Sequence, residues 1–126
     1  MERQSMLTQG EWQLMQLIWQ RPHTLMELVD ELGQTVGWSK STVATMVRRM
    51  EEKGILRYEE QGRTKIFYPV ISRNEAAARE TESLLHRAYH GSIGLLVSNM
   101  AQRNSLSKED IDELYEILRQ AKEDAQ

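Results

Sequence analysis

Apolar and polar positions follow two different periods along the chain. From Leu7 to Gly54 the apolar residues recur every three or four positions, the spacing of helices with one buried face. Thr8 with Glu11, and Thr24 with Glu27, are capping-box pairs that open the first two helices, and Leu7 can staple onto Trp12. Trp12, Met15, Ile18 and Trp19 mark the inward face of the first helix, and Arg21-Pro22-His23 breaks it. Leu25, Leu28, Val29 and Leu32 form the stripe of the second, with Gly33 as its expected C-terminal cap. After the connector Gln34–Trp38, Ser39 caps a third helix with the stripe Val43, Met46, Val47 and Met50, ended by Gly54.

The pattern then changes. The runs Ile55–Tyr58 and Lys65–Tyr68 are rich in β-branched and aromatic residues, and the segment between them contains Gly62, which can supply a positive φ. They predict a β-hairpin that Pro69 closes. Beyond it the helical period returns. Ser72 with Glu75 opens a helix over residues 73–90, carrying Ala76, Ala77, Leu84, Leu85, Ala88 and Tyr89 for packing. Gly91 and Gly94 interrupt it, and a short apolar helix follows over 95–102. Ser107 with Asp110 caps the last helix, Leu106 can staple onto Ile111, and Ile111, Leu114, Tyr115, Leu118 and Ala121 form its stripe.

Three helices followed by a hairpin is the order of a winged helix-turn-helix. The predicted fold class is therefore mainly α with a small β-hairpin: a winged-helix DNA-binding domain over residues 1–71 and a helical dimerisation region over 72–126. The C-terminal helices carry more apolar surface than they can bury on each other, and a second copy is the simplest cover. Leu84, Leu85, Leu95, Leu96, Ile111, Leu114, Tyr115 and Leu118 are the expected dimer residues.

Charge sharpens this picture. The formal net charge is −3, but residues 37–68 carry seven basic and four acidic side chains, while the segments on either side are net acidic. A local basic patch is the electrostatic footprint that matters for nucleic acid. It coincides with the third helix, whose face away from the stripe bears Lys40, Ser41, Thr42, Thr45, Arg48 and Arg49. Ser and Thr are mediocre helix formers, yet they are short enough to let a helix approach base edges or phosphates, and Arg reads guanine or clamps phosphate. Ser41, Thr42 and Thr45 are the first candidates for DNA contact, then Lys40 and Arg48. Arg49 can instead pair with Glu52 or Glu59. On the wing, Arg63 and Lys65 either contact phosphate or protect an edge strand, and phosphate contact is the reading taken here. Trp12 and Trp19 are read as core; Trp38 either packs under the third helix or borders DNA.

The absence of cysteine excludes disulfides and thiolate chemistry. No apolar run approaches the roughly 18 residues of a membrane span, and the segment Met1–Trp12 has no signal-peptide character; a soluble cytoplasmic protein is expected. No nucleophile elbow, phosphate loop or catalytic carboxylate pair is found, so no enzyme activity and no cofactor are expected. Glu82, His86 and His90 have a spacing that can present three metal ligands on one helix face; no fourth ligand is visible, and a polar stripe flanking the dimer seam is the alternative.

The segments "LTQGEWQLMQLIW", "SKSTVATMVRRMEEKGIL", "GRTKIFYPVIS" and "LLVSNMAQ" together resemble the BlaI/MecI/CopY family, the penicillinase, methicillin-resistance and copper-transport repressors of bacteria. The resemblance implies a homodimeric repressor of a palindromic operator, with the winged helix on DNA and the C-terminal helices in the dimer. The cysteine metal motif of the copper branch is missing. The β-lactam branch is inactivated when a membrane-bound sensor protease triggers cleavage of an Asn-Phe bond. The matching bond here is Asn99–Met100, where Met replaces Phe. Two alternatives are a winged-helix regulator responsive to a small ligand or metal, although no distinctive pocket is legible, and a winged helix used for protein interaction.

Overall fold

The computed structural model describes residues 6–125; residues 1–5, which begin the segment read above as lacking a leader, and Gln126 lie outside the described residues. The elements run α1 (Gln9–Gln20), β1 (His23–Thr24), α2 (Leu25–Thr35), α3 (Lys40–Lys53), β2 (Leu56–Gln61), β3 (Thr64–Pro69), α4 (Arg73–Tyr89), α5 (Ile93–Gln102) and α6 (Lys108–Asp124). They divide into two compact units, one ending at Thr81 and one beginning at Glu82.

In the first unit the helix starts follow the capping chemistry. Thr8 Oγ1 accepts the Glu11 N–H at 3.1 Å, and Glu11 Oε1 accepts the Thr8 N–H at 3.0 Å. Thr24 and Glu27 repeat this at α2. The Glu27 carboxyl is held below its ordinary pKa, chiefly by the Thr24 N–H and further by Arg21. A lowered carboxylate favours folding above its unfolded pKa, and that contribution fades as pH falls through the lowered value. At the far end of α3, Gly54 takes φ +83, the left-handed conformation that closes a helix at little cost in glycine.

One helix end differs from expectation. Gly33 lies inside α2, which runs two residues further to Thr35. The Val36 N–H still bonds the Leu32 carbonyl at 3.0 Å, and the left-handed bend comes at Gly37, with φ +77. The sheet also holds a strand that periodicity missed. β1 pairs antiparallel with β3, His23 opposite Phe67, giving the order β1-β3-β2. Two residues are too short to show a period; they become a strand only through their partner. The wing strands extend toward the tip, with Gln61 opposite Thr64 and Gly62 at φ +62 in the two-residue connection.

The core gathers Leu14, Met15 and Ile18 of α1, Leu28 and Leu32 of α2, Val43, Val47 and Met50 of α3, and Ile55, Leu56 and Phe67 around the sheet. Trp12 and Trp19 stand half-buried at its edge, 5.6 Å apart in an edge-on pair. Trp38 packs against this core. Its ring lies so close to Gly10 that a Cβ there would meet Trp38 Cη2 at 3.3 Å and Met46 Cε at 3.4 Å. Of the two positions left open for Trp38, the structure takes packing.

The first unit extends beyond the break expected at 71/72. Ala76 is buried, the Trp19 Nε1–H donates to the Ile71 carbonyl at 2.9 Å, and the Trp12 Nε1–H donates to Glu80 at 3.2 Å. The first two turns of α4 thus belong with the winged domain.

In the second unit, α4 ends at Tyr89 and the chain turns through His90 (φ +52) and Gly91 (φ +81). Gly91 interrupts the helix as expected, whereas Gly94 lies inside α5. Ser107 and Asp110 form the predicted reciprocal cap of α6. No described residue of 82–125 is buried.

Candidate nucleic-acid interface

The DNA-facing candidates sit on α3 because its opposite face is committed to the core. Val43, Val47 and Met50 are buried, while Lys40, Ser41, Thr42, Arg48 and Arg49 are exposed and Thr45 is half-buried. Ser41, Thr45 and Arg48, spaced i, i+4 and i+7, share one side of the helix. At its start, Ser39 Oγ accepts the Thr42 N–H at 3.2 Å and lies 3.2 Å from Ser41 Oγ and 3.1 Å from Thr42 Oγ1. Short hydroxyls therefore cluster where the helix presents its positive dipole end.

An ion pair fixes the other end of α3. Lys53 Nζ lies 2.7 Å from Glu11 Oε1, and Glu11 is buried. The same carboxylate caps α1, so the orientation of α3 is tied to the first turn of α1. Beside the α3 face, Arg48 lies 3.8 Å from Glu52. Among the described residues it is Arg48, not Arg49, that approaches Glu52, while Glu59 pairs with Arg57 at 2.9 Å.

The wing faces α3 across an open groove of about 750 Å³. Arg48 lines one wall; Arg63 and Lys65 line the other. Strand alternation explains Lys65. It lies two residues from buried Phe67 and so on the same face of β3, and its ammonium rests 4.2 Å over the Tyr58 ring. Arg57, one residue earlier on β2, instead stacks 4.5 Å from the Tyr68 ring. The groove brings Arg48, Arg63 and Lys65 together; it does not include Lys40, Ser41, Thr42, Thr45 or Arg49.

Thr24, Met26, Ala44, Glu51 and Thr64 also line the groove, a place the sequence reading did not give them. Thr24 had been legible only as a cap. Its place at the groove depends on β1 pairing with β3, which puts Thr24 opposite Ile66. Met26 is half-exposed at 51%.

In the second unit, Leu84, Leu95, Ile111, Tyr115 and Leu118 are exposed, while Leu85, Leu96 and Leu114 are half-buried. Ile93, Val97, Met100 and Ile117 add to this apolar surface. Leu96, Val97, Met100, Leu106, Leu114 and Ile117 line an apolar cleft of about 460 Å³ between α5 and α6, a pocket the sequence did not reveal. Asn99 and Met100 lie exposed on α5, and the Asn99 amide donates to Tyr89 Oη at 2.9 Å.

The spacing of Glu82, His86 and His90 does not become a ligand set. The helix ends at Tyr89, and His90 at φ +52 leaves the face that i, i+4 spacing assumed. Among the described residues no three His, Asp or Glu side chains are grouped to hold a metal ion. No described helix is long and apolar enough to cross a membrane.

Comparison with known proteins agrees with this architecture. The family described as Penicillinase repressor matches residues 7–120. The chain is 32% identical over 123 residues to the Penicillinase repressor of Bacillus licheniformis, covering 97% of this chain and 96% of that one. It is 23% identical over 113 residues to the Methicillin resistance regulatory protein MecI of Staphylococcus aureus (strain N315), covering 89% and 92%. The solution structure of the DNA binding domain of the repressor BlaI superposes with a TM-score of 0.53 at 29% identity, covering 60% of this chain and 93% of that domain. With a family match across nearly its whole length and a winged helix in its first unit, the chain belongs to the penicillinase repressor family, whose members are DNA-binding transcriptional repressors and not enzymes.

Proposed function

We propose that this chain is a cytoplasmic, homodimeric repressor that binds a palindromic operator and represses by covering a promoter. The observation that carries the reading is the α3 face of Ser41, Thr45 and Arg48, set beside a groove whose far wall holds Arg63 and Lys65. Such an arrangement offers short hydroxyls and a guanidinium to base edges, and cations to the adjoining phosphates. Dimerisation is supported by the unburied apolar residues of α5 and α6, which a second copy would cover. The names of the relatives point to antibiotic-resistance genes as the regulated class.

The test begins with a duplex enriched by the protein from a random pool. Hydroxyl-radical footprinting should show two protected windows related by a dyad and spaced about one helical turn, ~10 bp, apart. A single window, or none at low salt, would contradict the dimeric reading.

Induction is proposed to act through the dimer, by a sensor-linked protease cutting Asn99–Met100. Cleavage would detach α6 with Ile111, Leu114, Tyr115 and Leu118 and leave the DNA-reading unit complete. A helical bond must open locally before it is cut. Mass spectrometry of the repressor from β-lactam-treated host cells should show a fragment ending at Asn99. An intact chain that has nevertheless left its operator would point to a bound ligand instead.

A further inference from the structure

The groove between α3 and the wing contains one charge of the wrong sign for phosphate. Arg48, Arg63 and Lys65 line it, and so does Glu51, half-buried on the last turn of α3. Among the described residues the Glu51 side chain makes no ion pair and accepts no hydrogen bond, whereas Glu52 on the same helix and Glu59 on β2 each face an arginine, at 3.8 Å and 2.9 Å. A DNA strand passing from α3 to the wing would bring its phosphates to the wing cations Arg63 and Lys65 and to this carboxylate together. Like charges a few ångströms apart at a partly desolvated surface repel appreciably.

We infer that Glu51 is a phosphate-repelling residue that holds DNA affinity below what Arg48, Arg63 and Lys65 would otherwise give. The inference rests on the DNA-binding reading above. Glu51 opposes backbone contact and reads no base, so it weakens binding to every duplex by a similar factor. Its role is kinetic: it shortens each stay on non-operator DNA, which speeds the search, and leaves the ratio of operator to non-operator affinity unchanged.

The experiment compares wild type, Glu51→Gln and Glu59→Gln on two labelled 30-bp duplexes, one enriched by the wild-type protein and one of random sequence, at several salt concentrations. Glutamine keeps the shape of the side chain and removes its charge. E51Q should tighten binding to both duplexes by about 3- to 10-fold. Its salt dependence should steepen by up to roughly one unit of log K per log salt. E59Q, on the outer face of the wing beside Arg57, should bind like wild type, which separates the groove from net charge. Unchanged or weaker binding by E51Q would overturn the inference, as would equal tightening by E59Q or an effect confined to the enriched duplex. If wild type itself binds neither duplex in a salt-dependent way, the DNA-binding reading fails, and the inference with it.

Discussion

Replacing Leu118 with Asp is expected to convert the proposed dimer into a folded monomer that scarcely occupies its operator. Leu118 is 62% exposed in the single chain, so a charge there costs the isolated fold little. In a two-fold dimer the same position would be covered, and it would occur twice. Leaving an unpaired charge buried costs on the order of 3–5 kcal/mol per site, which together should raise the self-dissociation constant by at least ~10³-fold. Operator affinity should then fall by roughly 10²- to 10⁴-fold, because a monomer forfeits the avidity of the second half-site. Sedimentation velocity reads the first effect and circular dichroism confirms retained helix. A dimer of unchanged stability would remove Leu118, and the α6 stripe with it, from the interface.

The expected behaviour of Leu118 rests on a part of the fold that is legible in the sequence. Capping boxes at Thr8, Thr24 and Ser107 located three helix starts because both halves of each pair lie within four residues. The stripe of α3 and the glycine at its end were equally local. What escaped depended on contacts distant in sequence. β1 exists only because His23 and Thr24 meet Phe67 and Ile66. Glu11 reads as a simple cap, and its ion pair with Lys53 spans 42 residues. The boundary near Thr81 reflects Trp19 bonding Ile71 just before α4 and Trp12 bonding Glu80 two turns into it, which no local composition shift records. His90 illustrates the reverse error: its i, i+4 spacing from His86 was sound, but the helix stops one residue short of it. Of the DNA candidates, the sequence identified the residues on the two walls and could not show the groove between them, nor that Glu51, Thr24, Met26 and Thr64 share it.

The claim that α3 reads bases while the wing holds phosphates is tested most directly by titrating Thr45→Ala and Lys65→Ala against the enriched and random duplexes. Thr45 lies half-buried between Ser41 and Arg48 on the exposed side of α3, where a base-contacting hydroxyl or methyl is worth on the order of 1–3 kcal/mol of discrimination. The T45A variant should therefore lose about 5- to 150-fold on the enriched duplex and little on the random one. Lys65 is held over Tyr58 on the groove side of β3, where the proposed reading gives it the DNA backbone alone. The K65A variant should weaken both duplexes by a similar factor and flatten the salt dependence by roughly one unit of log K per log salt. The account predicts that crossed pattern, sequence-selective loss for the helix and uniform loss for the wing. The reverse assignment, or uniform loss from both variants, would contradict it.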